Sequence, residues 1–164
     1  MGVVAVVVQD FDSALAFVLL AEGGFSNVQG DHGGPTSRGI TQATYSAWLS
    51  SLGMHDAPVA GISAEYVEAV YLENFWKAGG CDRLPSPLNL VHFDSVVQHV
   101  PAAWSGMLAS ATAFQGAAPE TEAFALLTLR DNLYRRIIAK DPMQRKFLKG
   151  WMNRLIHLRT AAGL

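Results

Sequence analysis

The feature that most constrains this 164-residue chain is one carboxylate between an apolar run and a glycine-rich stretch. The apolar run, residues 14–21, ends at Glu22, and five glycines follow between Gly23 and Gly34. Glycine is common just after a helix because it adopts left-handed backbone conformations at little steric cost. The pattern therefore predicts that Glu22 lies on the last turn of a helix and that Gly23 starts a turn away from it.

The stretch from Phe25 to Thr41 is predicted to form a short polar hairpin or loop that doubles back over Glu22. The sequences Gly30-Asp31 and Gly33-Gly34-Pro35 are typical of turns. This early β-like element would form one wall of a cleft that contains a carboxylate.

The remainder of the chain is predicted to be helical. Asp12 or Ser13 can cap the helix that leads to Glu22, and Thr41 can cap the next helix. Further helices are expected to start near Ser63, Leu88, Pro101, Pro119 and Met143. We expect residues 3–8, a valine-rich run, to form an edge strand or a disordered leader. The whole chain, residues 1–164, suits one domain, with residues 1–100 as the catalytic lobe and residues 101–164 as a helical lobe.

Composition excludes several classes of protein. Half of the residues are apolar and 16% are charged, so extensive disorder is not expected. Cys81 is the single cysteine, so no disulfide forms within the chain. No apolar run reaches the roughly 18 residues that a membrane span needs. We expect no signal peptide, because the apolar run at residues 3–8 is too short for one and has no basic residue before it. A phosphate-binding loop, a dinucleotide fingerprint, zinc-ligand spacing and a Gly-x-Ser-x-Gly elbow are all missing from the sequence.

Charge is divided sharply along the chain. Residues 1–129 hold 3 basic and 12 acidic side chains, a balance of −9, whereas residues 130–164 hold 9 basic and 2 acidic ones, a balance of +7. The basic segment is either an ordinary solvated helix face or a surface for an anionic partner such as cell wall, nucleic acid or lipid headgroups. One hypothesis is that cell wall is held by a set of basic residues, namely Arg135, Arg136, Arg145, Lys146 and Lys149.

Two carboxylates are candidates for catalysis. Glu22 and Asp31 lie nine residues apart across the glycine-rich stretch. Glycosidases commonly use one protonated carboxyl group to release the leaving oxygen and a second, ionised one as base, nucleophile or charge stabiliser. The alternative is that Glu22 is a solvated acid at a helix end, as many such residues are.

An ordered series of motifs resembles the signature of family 108 glycoside hydrolases, which are lysozyme-like N-acetylmuramidases. The motifs are Glu22-Gly23-Gly24-Phe25-Ser26-Asn27, Asp31-x-Gly33-Gly34-x-Thr36-x-x-Gly39-Ile40-Thr41, Tyr45, Tyr71-x-x-x-Phe75-Trp76, Cys81-Asp82-x-Leu84-Pro85 and Phe93-Asp94. The resemblance covers roughly residues 11–100. It implies a mainly α, lysozyme-like α+β fold with a small early hairpin.

The resemblance also implies roles for individual residues. Glu22 would be the catalytic acid and Asp31 the second polar group, with no metal or cofactor. The substrate-binding residues would be Phe25, Ser37, Thr41, Tyr45, Tyr71 and Trp76. The alternative is that at least two of Tyr71, Phe75 and Trp76 belong to the core. Three features depart from the family pattern: Phe25 stands where tyrosine is usual, the run Val96-Val97-Gln98-His99-Val100 replaces the usual continuation after Phe-Asp, and residues 109–119 lack the turn of the family's peptidoglycan-binding half.

The function expected from this resemblance is cleavage of the β-1,4 bond between N-acetylmuramic acid and N-acetylglucosamine in peptidoglycan. The alternatives are a non-catalytic wall-binding or regulatory module on the same fold, and a lytic transglycosylase. The expected partner is the glycan strand, without nucleic acid or stable membrane insertion, and the protein is expected to be a monomer. An endolysin of this kind would be made in the cytoplasm and would reach the periplasm or cell wall through a holin or a secretion apparatus.

Overall fold

Seven α-helices and a three-stranded antiparallel sheet make up the part of the chain that the structure, a computed structural model, describes: residues 3–26, 34–113 and 116–164. The helices are α1 (Val3–Glu22), α2 (Gln42–Ser51), α3 (Ala64–Tyr71), α4 (Leu88–Gln98), α5 (Pro101–Ala111), α6 (Pro119–Lys140) and α7 (Leu148–Ala161). The strands are β1 (Phe25–Ser26), β2 (Thr36–Ser37) and β3 (Ile40–Thr41). None of the described helices has the length and hydrophobicity needed to cross a lipid bilayer.

Helix α1 begins earlier than the sequence suggested and ends where it was predicted to end. The expectation of a strand or leader at residues 3–8 was wrong, because α1 starts at Val3 rather than near Asp12. Valine favours strands, but each valine inside a helix costs only about 0.5 kcal/mol relative to alanine, and the rest of the helix can offset that cost. At the other end, Glu22 is the last helical residue and Gly23 has a φ of 74°, so the predicted glycine exit is confirmed.

The small sheet is built around a tight hairpin. β2 and β3 pair antiparallel with Ser37 opposite Ile40, leaving Arg38 and Gly39 as the two turn residues. Both turn residues have positive φ, 49° and 80°, as the hairpin turn that matches strand twist requires. β1 pairs antiparallel with β2 on the other side. A hairpin within residues 25–41 is therefore present as predicted, but its tight turn at Arg38-Gly39 was not predicted, and the expected turn at Gly30-Asp31 lies outside the described residues.

The predicted helix starts are largely confirmed by their caps. Thr41 Oγ1 accepts a hydrogen bond from the backbone N–H of Thr44 at 3.2 Å, and Ser63 caps α3 in the same way. Pro101 is the first residue of α5. The last helix starts later than expected, at Leu148, because a 3₁₀ turn over Pro142–Phe147 comes first.

Two hydrophobic clusters divide the core, and α4 belongs to both. Phe93 and Val96 of α4 pack into the cluster formed by α1, the hairpin, α2, α3 and a π-helical segment, Leu72–Lys77. Leu88 and Val91, on the other part of α4, pack into the cluster formed by α5, α6 and α7. Because α4 packs into both clusters, the end of this helix is held where the two clusters meet.

Candidate active site

The carboxylate of Glu22 is held where three helices converge. Glu22 ends α1, and its Oε1 accepts a hydrogen bond from Nε2 of Gln98, at the end of α4, at 3.0 Å. The same oxygen pairs with Nη1 of Arg154, on α7, at 2.7 Å. These two contacts hold the Glu22 side chain in place, and its 17% exposure leaves it open to solvent. One carboxylate oxygen therefore fixes the relative positions of α1, α4 and α7.

The other side of the Glu22 carboxylate faces the tip of the hairpin. A Cβ atom added to Gly39 would lie 2.9 Å from Cγ and 3.1 Å from Oε2 of Glu22. Only glycine allows so close an approach, and only glycine adopts its φ of 80° at low cost. No hydrogen bond from a described residue reaches Oε2. This oxygen is thus the one that faces Gly39 and the turn of the hairpin.

Arg154 is itself held by a second carboxylate. Its Nε and Nη2 donate to Oδ1 of Asp94 at 3.0 and 2.8 Å. Oδ2 of Asp94 pairs with Nη1 of Arg130 at 2.8 Å, and both of those side chains are fully buried. Glu22, Arg154, Asp94 and Arg130 therefore form a row of alternating charges whose formal sum is zero.

This row of charges shifts the pKa values of Asp94 and Arg154. Burial alone would raise the pKa of Asp94, but the two guanidinium groups outweigh burial and hold that pKa below its usual range. Burial alone would lower the pKa of Arg154, but Asp94 and Glu22 outweigh burial and raise it. Asp94 and Arg154 are consequently charged across the physiological range. Truncating Asp94 or Arg130, the two fully buried members, would leave a buried charge without its partner, which is strongly destabilising.

Tyr71 connects the hairpin to the helical core beside Glu22. Its side chain is fully buried, and its hydroxyl donates to the backbone oxygen of Arg38 at 2.8 Å. Burial, followed by the nearby charge of Glu22, raises the pKa of Tyr71, so the phenol keeps its proton and remains a donor. The hydrogen bond holds the turn of the hairpin in the position that places Gly39 against the acid.

Two open grooves meet at Gln98. The larger, with a volume of about 670 Å³, lies between α1 and α7 and is lined by Phe17, Trp151 and His157 among others. The smaller, about 580 Å³, lies between the end of α4, the π-helical segment and α5, and its lining includes Phe75. Gln98 lines both grooves and donates to Glu22. Glu22 itself lines neither groove, but both residues that contact its carboxylate do: Gln98 lines the two grooves and Arg154 lines the larger one.

The structure brings only some of the residues expected at the site close to Glu22. Tyr71 lies beside it, as described above. Ser37 is 6% exposed on β2, and Thr41 uses its hydroxyl to cap α2. Tyr45 and Trp76 are 4% and 1% exposed, so they belong to the core rather than to the expected cleft wall.

Two of the expected residues fall in part or in full outside the described chain. Residues 27–33, which include Asp31, are not among those that the structure describes. Of Phe25, only the backbone, in β1, is described.

The sequence patterns indicate no role for Arg154 or Gln98, although both residues contact Glu22. A signal for Arg154 was present, because it follows Trp151 by three residues and precedes Leu158 by four on the inward face of α7. Arg130 shows the same signal on the stripe of α6 that contains Leu127 and Tyr134. A cation on an apolar stripe requires a buried anion as its partner, but the sequence does not show which acidic residue is that partner.

Comparison with known proteins identifies the class to which this fold and site belong. The family model described as Glycosyl hydrolase 108 matches residues 15–99, more than half of the chain, so the chain belongs to that family of glycoside hydrolases. The match includes Glu22, Gly39, Tyr71 and Gln98, and it stops before α5.

Among solved structures, the chain is similar to that described as the structure of Brucella abortus SagA. The TM-score is 0.75 with 25% sequence identity, over 93% of this chain and 92% of the other. The likeness extends through α5, α6 and α7, and the fold is the mainly helical, lysozyme-like α+β fold expected from the sequence. No curated protein matches the chain.

Proposed function

We propose that this glycoside hydrolase is an N-acetylmuramidase that cleaves the β-1,4 bond between N-acetylmuramic acid and N-acetylglucosamine in peptidoglycan. Glu22 is its general acid. The observation that carries the proposal is the position of the Glu22 carboxylate: one oxygen accepts hydrogen bonds from two donors, and the other lies against Gly39 at the turn of the hairpin. This arrangement is found in a chain of a glycoside hydrolase family.

The two oxygens of Glu22 have different roles in this proposal. Oε1 accepts hydrogen bonds from Gln98 and Arg154, as the carbonyl oxygen of a carboxylic acid does. Oε2 carries the proton and gives it to the glycosidic oxygen as the bond to the muramic acid carbon breaks. Positive charge develops on that carbon and its ring oxygen. Water then adds to the carbon, and the proton that it loses restores the carboxylic acid of Glu22. The net reaction consumes one water and returns Glu22 to its starting state.

Arg154 assists the loss of this proton. A general acid must be protonated before the reaction, and a guanidinium nitrogen of Arg154 lies 2.7 Å from Oε1 of Glu22. Arg154 makes three hydrogen-bond contacts to Asp94 and one to Glu22, so it stays with Asp94 when Glu22 takes up a proton. As the proton leaves, the carboxylate regains its full ion pair. Arg154 thus stabilises the charge that forms on Glu22 in the transition state.

Asp31 is the second polar group of the proposed mechanism. It follows Glu22 by nine residues and precedes the hairpin that faces the acid. In the proposal it orients or activates the attacking water. The hydroxyl of Thr41 already caps α2, and Ser37 is buried, which favours Asp31 over either hydroxyl for this role.

The two grooves support a polymeric substrate. A glycan strand that crosses Glu22 needs sugar-binding space on both sides of the bond that is cleaved. The grooves on either side of Gln98 offer about 670 and 580 Å³, within the range typical of ligand sites. The enzyme would therefore bind within a strand and cleave it internally.

Fragment analysis of digested peptidoglycan tests the proposal. Purified sacculi are incubated with the protein, and the soluble products are identified by mass spectrometry. Fragments with a reducing N-acetylmuramic acid end support the proposed hydrolysis. Anhydro-muropeptides would show transglycosylation, in which the hydroxyl of the substrate replaces water. Intact sacculi that sediment with the protein would show a wall-binding module without activity.

A further inference from the structure

The basic side chains of the C-terminal segment fall into two groups. Of the nine in residues 130–164, Arg130 and Arg154 belong to the buried row of charges. Arg135 pairs with Asp131 at 2.9 Å, and Arg159 donates to the backbone oxygen of Leu164. The other five are exposed and form no ion pair with a described residue: Arg136, Lys140, Arg145, Lys146 and Lys149. We call these five the basic patch.

The basic patch surrounds a turn that exposes apolar side chains. Its members lie on the last turns of α6, in the 3₁₀ turn Pro142–Phe147 and at the start of α7. In the same turn Met143 is 77% exposed and Phe147 is 46% exposed. The Nζ atom of Lys146 lies 4.9 Å from the centroid of the Phe147 ring. Cations and protruding apolar groups are therefore combined on one small surface.

The acid within this turn serves a structural role. Oδ1 of Asp141 accepts a hydrogen bond from the backbone N–H of Met143 at 3.1 Å, and Oδ2 accepts one from Gln144 at 3.0 Å. Asp141 thus caps the turn and leaves the five cations of the patch without a carboxylate partner among the described residues.

We propose that the basic patch binds the surface of an anionic phospholipid bilayer. Lysine and arginine near such a surface are attracted to its headgroups, and apolar side chains beside them enter the boundary between headgroups and acyl chains. An anionic sugar polymer also attracts cations, but it offers no hydrocarbon for Met143. The exposed methionine and phenylalanine therefore favour a bilayer. This binding is peripheral, and it goes beyond the proposed hydrolysis because it does not involve Glu22.

Vesicle co-sedimentation of the full-length protein tests the proposal. The probes are vesicles of phosphatidylcholine with an equal part of phosphatidylglycerol, and vesicles of phosphatidylcholine alone. We expect binding to the anionic vesicles only. Binding should weaken as salt shortens the Debye length from about 10 Å at 0.1 M to about 3 Å at 1 M.

Two variants, each with three charge reversals, separate the effect of the basic patch on binding from the effect of net charge. The patch variant is Arg145→Glu, Lys146→Glu and Lys149→Glu, and the control is Arg38→Glu, Lys77→Glu and Arg83→Glu, the three basic residues of positions 1–129. All six side chains are exposed and each variant changes the net charge equally. Each cation contributes about fivefold to binding, so the patch variant should lose at least about 100-fold and the control should lose far less.

A third variant tests the apolar contribution. Met143→Ser with Phe147→Ser keeps all five cations and should still reduce binding to anionic vesicles. Equal losses in the two charge variants, no loss in the apolar variant, or binding to sacculi without binding to vesicles would each overturn the proposal. Because vesicles contain no glycan, the result does not depend on whether the protein hydrolyses peptidoglycan.

Discussion

Glycine at position 39 is the residue on which the geometry of the acid depends most closely. It meets two demands at once: a positive φ in the hairpin turn, and an absent side chain where the carboxylate of Glu22 approaches. Any other residue would meet the hydroxyl of Tyr71 as well as Cγ of Glu22. The effect of a side chain at this position should therefore be on activity as well as on stability.

The first prediction is that Gly39→Ala reduces turnover by about 100-fold, because displacement of a catalytic group by even 1 Å can cost that much. The matched control is Gly53→Ala, since Gly53 has a φ of 69° and open space around its Cα. Both variants should lose about 1 kcal/mol of stability from backbone strain, and Gly39→Ala should lose more because its Cβ also meets Tyr71 and Glu22. Turnover on peptidoglycan and thermal denaturation measure the two effects. Equal activity of the two variants would show that contact with Glu22 at position 39 does not matter.

At the scale of elements, the hairpin and α2 are joined at Thr41. This residue ends β3 and caps α2, and its role in the cap was predicted from the sequence together with a possible role in binding substrate. The structure shows the first role directly, in the 3.2 Å hydrogen bond from Thr44. Substitution at Thr41 can separate the two roles.

We expect Thr41→Ala to lower the free energy of unfolding by about 1 kcal/mol, as loss of a helix N-cap usually does. Thr41→Ser keeps the capping oxygen and should retain most of that stability. Both proteins should keep wild-type turnover at temperatures well below their denaturation midpoints. If Thr41→Ala were fully stable but slow on peptidoglycan, the hydroxyl would belong to the substrate site instead of the cap.

At the scale of the whole molecule, the row of charges from Glu22 to Arg130 connects both halves of the chain. The stability of the folded protein depends on pH through the titratable groups around this row. Burial, followed by the charge of Arg130, lowers the pKa of His99 to about 4. Its Nε2 atom lies 3.5 Å from the hydroxyl of Tyr134, which also accepts from Arg130. His99 is thus neutral in the folded protein over a range in which it is charged in the unfolded chain.

The sign of the pH dependence follows from this difference. Between about pH 6.5 and about pH 4 the unfolded chain binds a proton at position 99 that the folded protein does not bind. Stability therefore falls as the pH is lowered through this window, by about 1 kcal/mol for a partly exposed ring. Asp94 adds nothing there, because its lowered pKa makes its contribution disappear only below about pH 3.9.

Denaturation of wild type and His99→Gln at pH 7 and pH 4.5 measures this contribution. The variant should lose less stability between the two values than wild type does. A smaller slope should remain, because burial also lowers the pKa of His92. Identical slopes for the two proteins would contradict the account of His99.

The local parts of this structure were predictable from the sequence, and the parts that depend on packing were not. The helix end at Glu22 and the caps at Thr41 and Ser63 involve residues close in sequence, so their patterns predict them. The contacts of Glu22 with Gln98 and Arg154 span 76 and 132 residues and depend on how three helices pack. The burial of Tyr45 and Trp76, which places them in the core and not in the expected cleft wall, also depends on how the helices pack.

The central claim is that the carboxyl proton of Glu22 breaks the glycosidic bond, and turnover of Glu22→Gln on purified peptidoglycan tests it most directly. Glutamine has nearly the same shape and can still accept hydrogen bonds from Gln98 and Arg154, but it cannot donate an acidic proton. Circular dichroism and thermal denaturation confirm that the variant is folded. Our account predicts that release of reducing ends falls by about 10²–10⁴-fold. Turnover near that of wild type in the folded variant would contradict it.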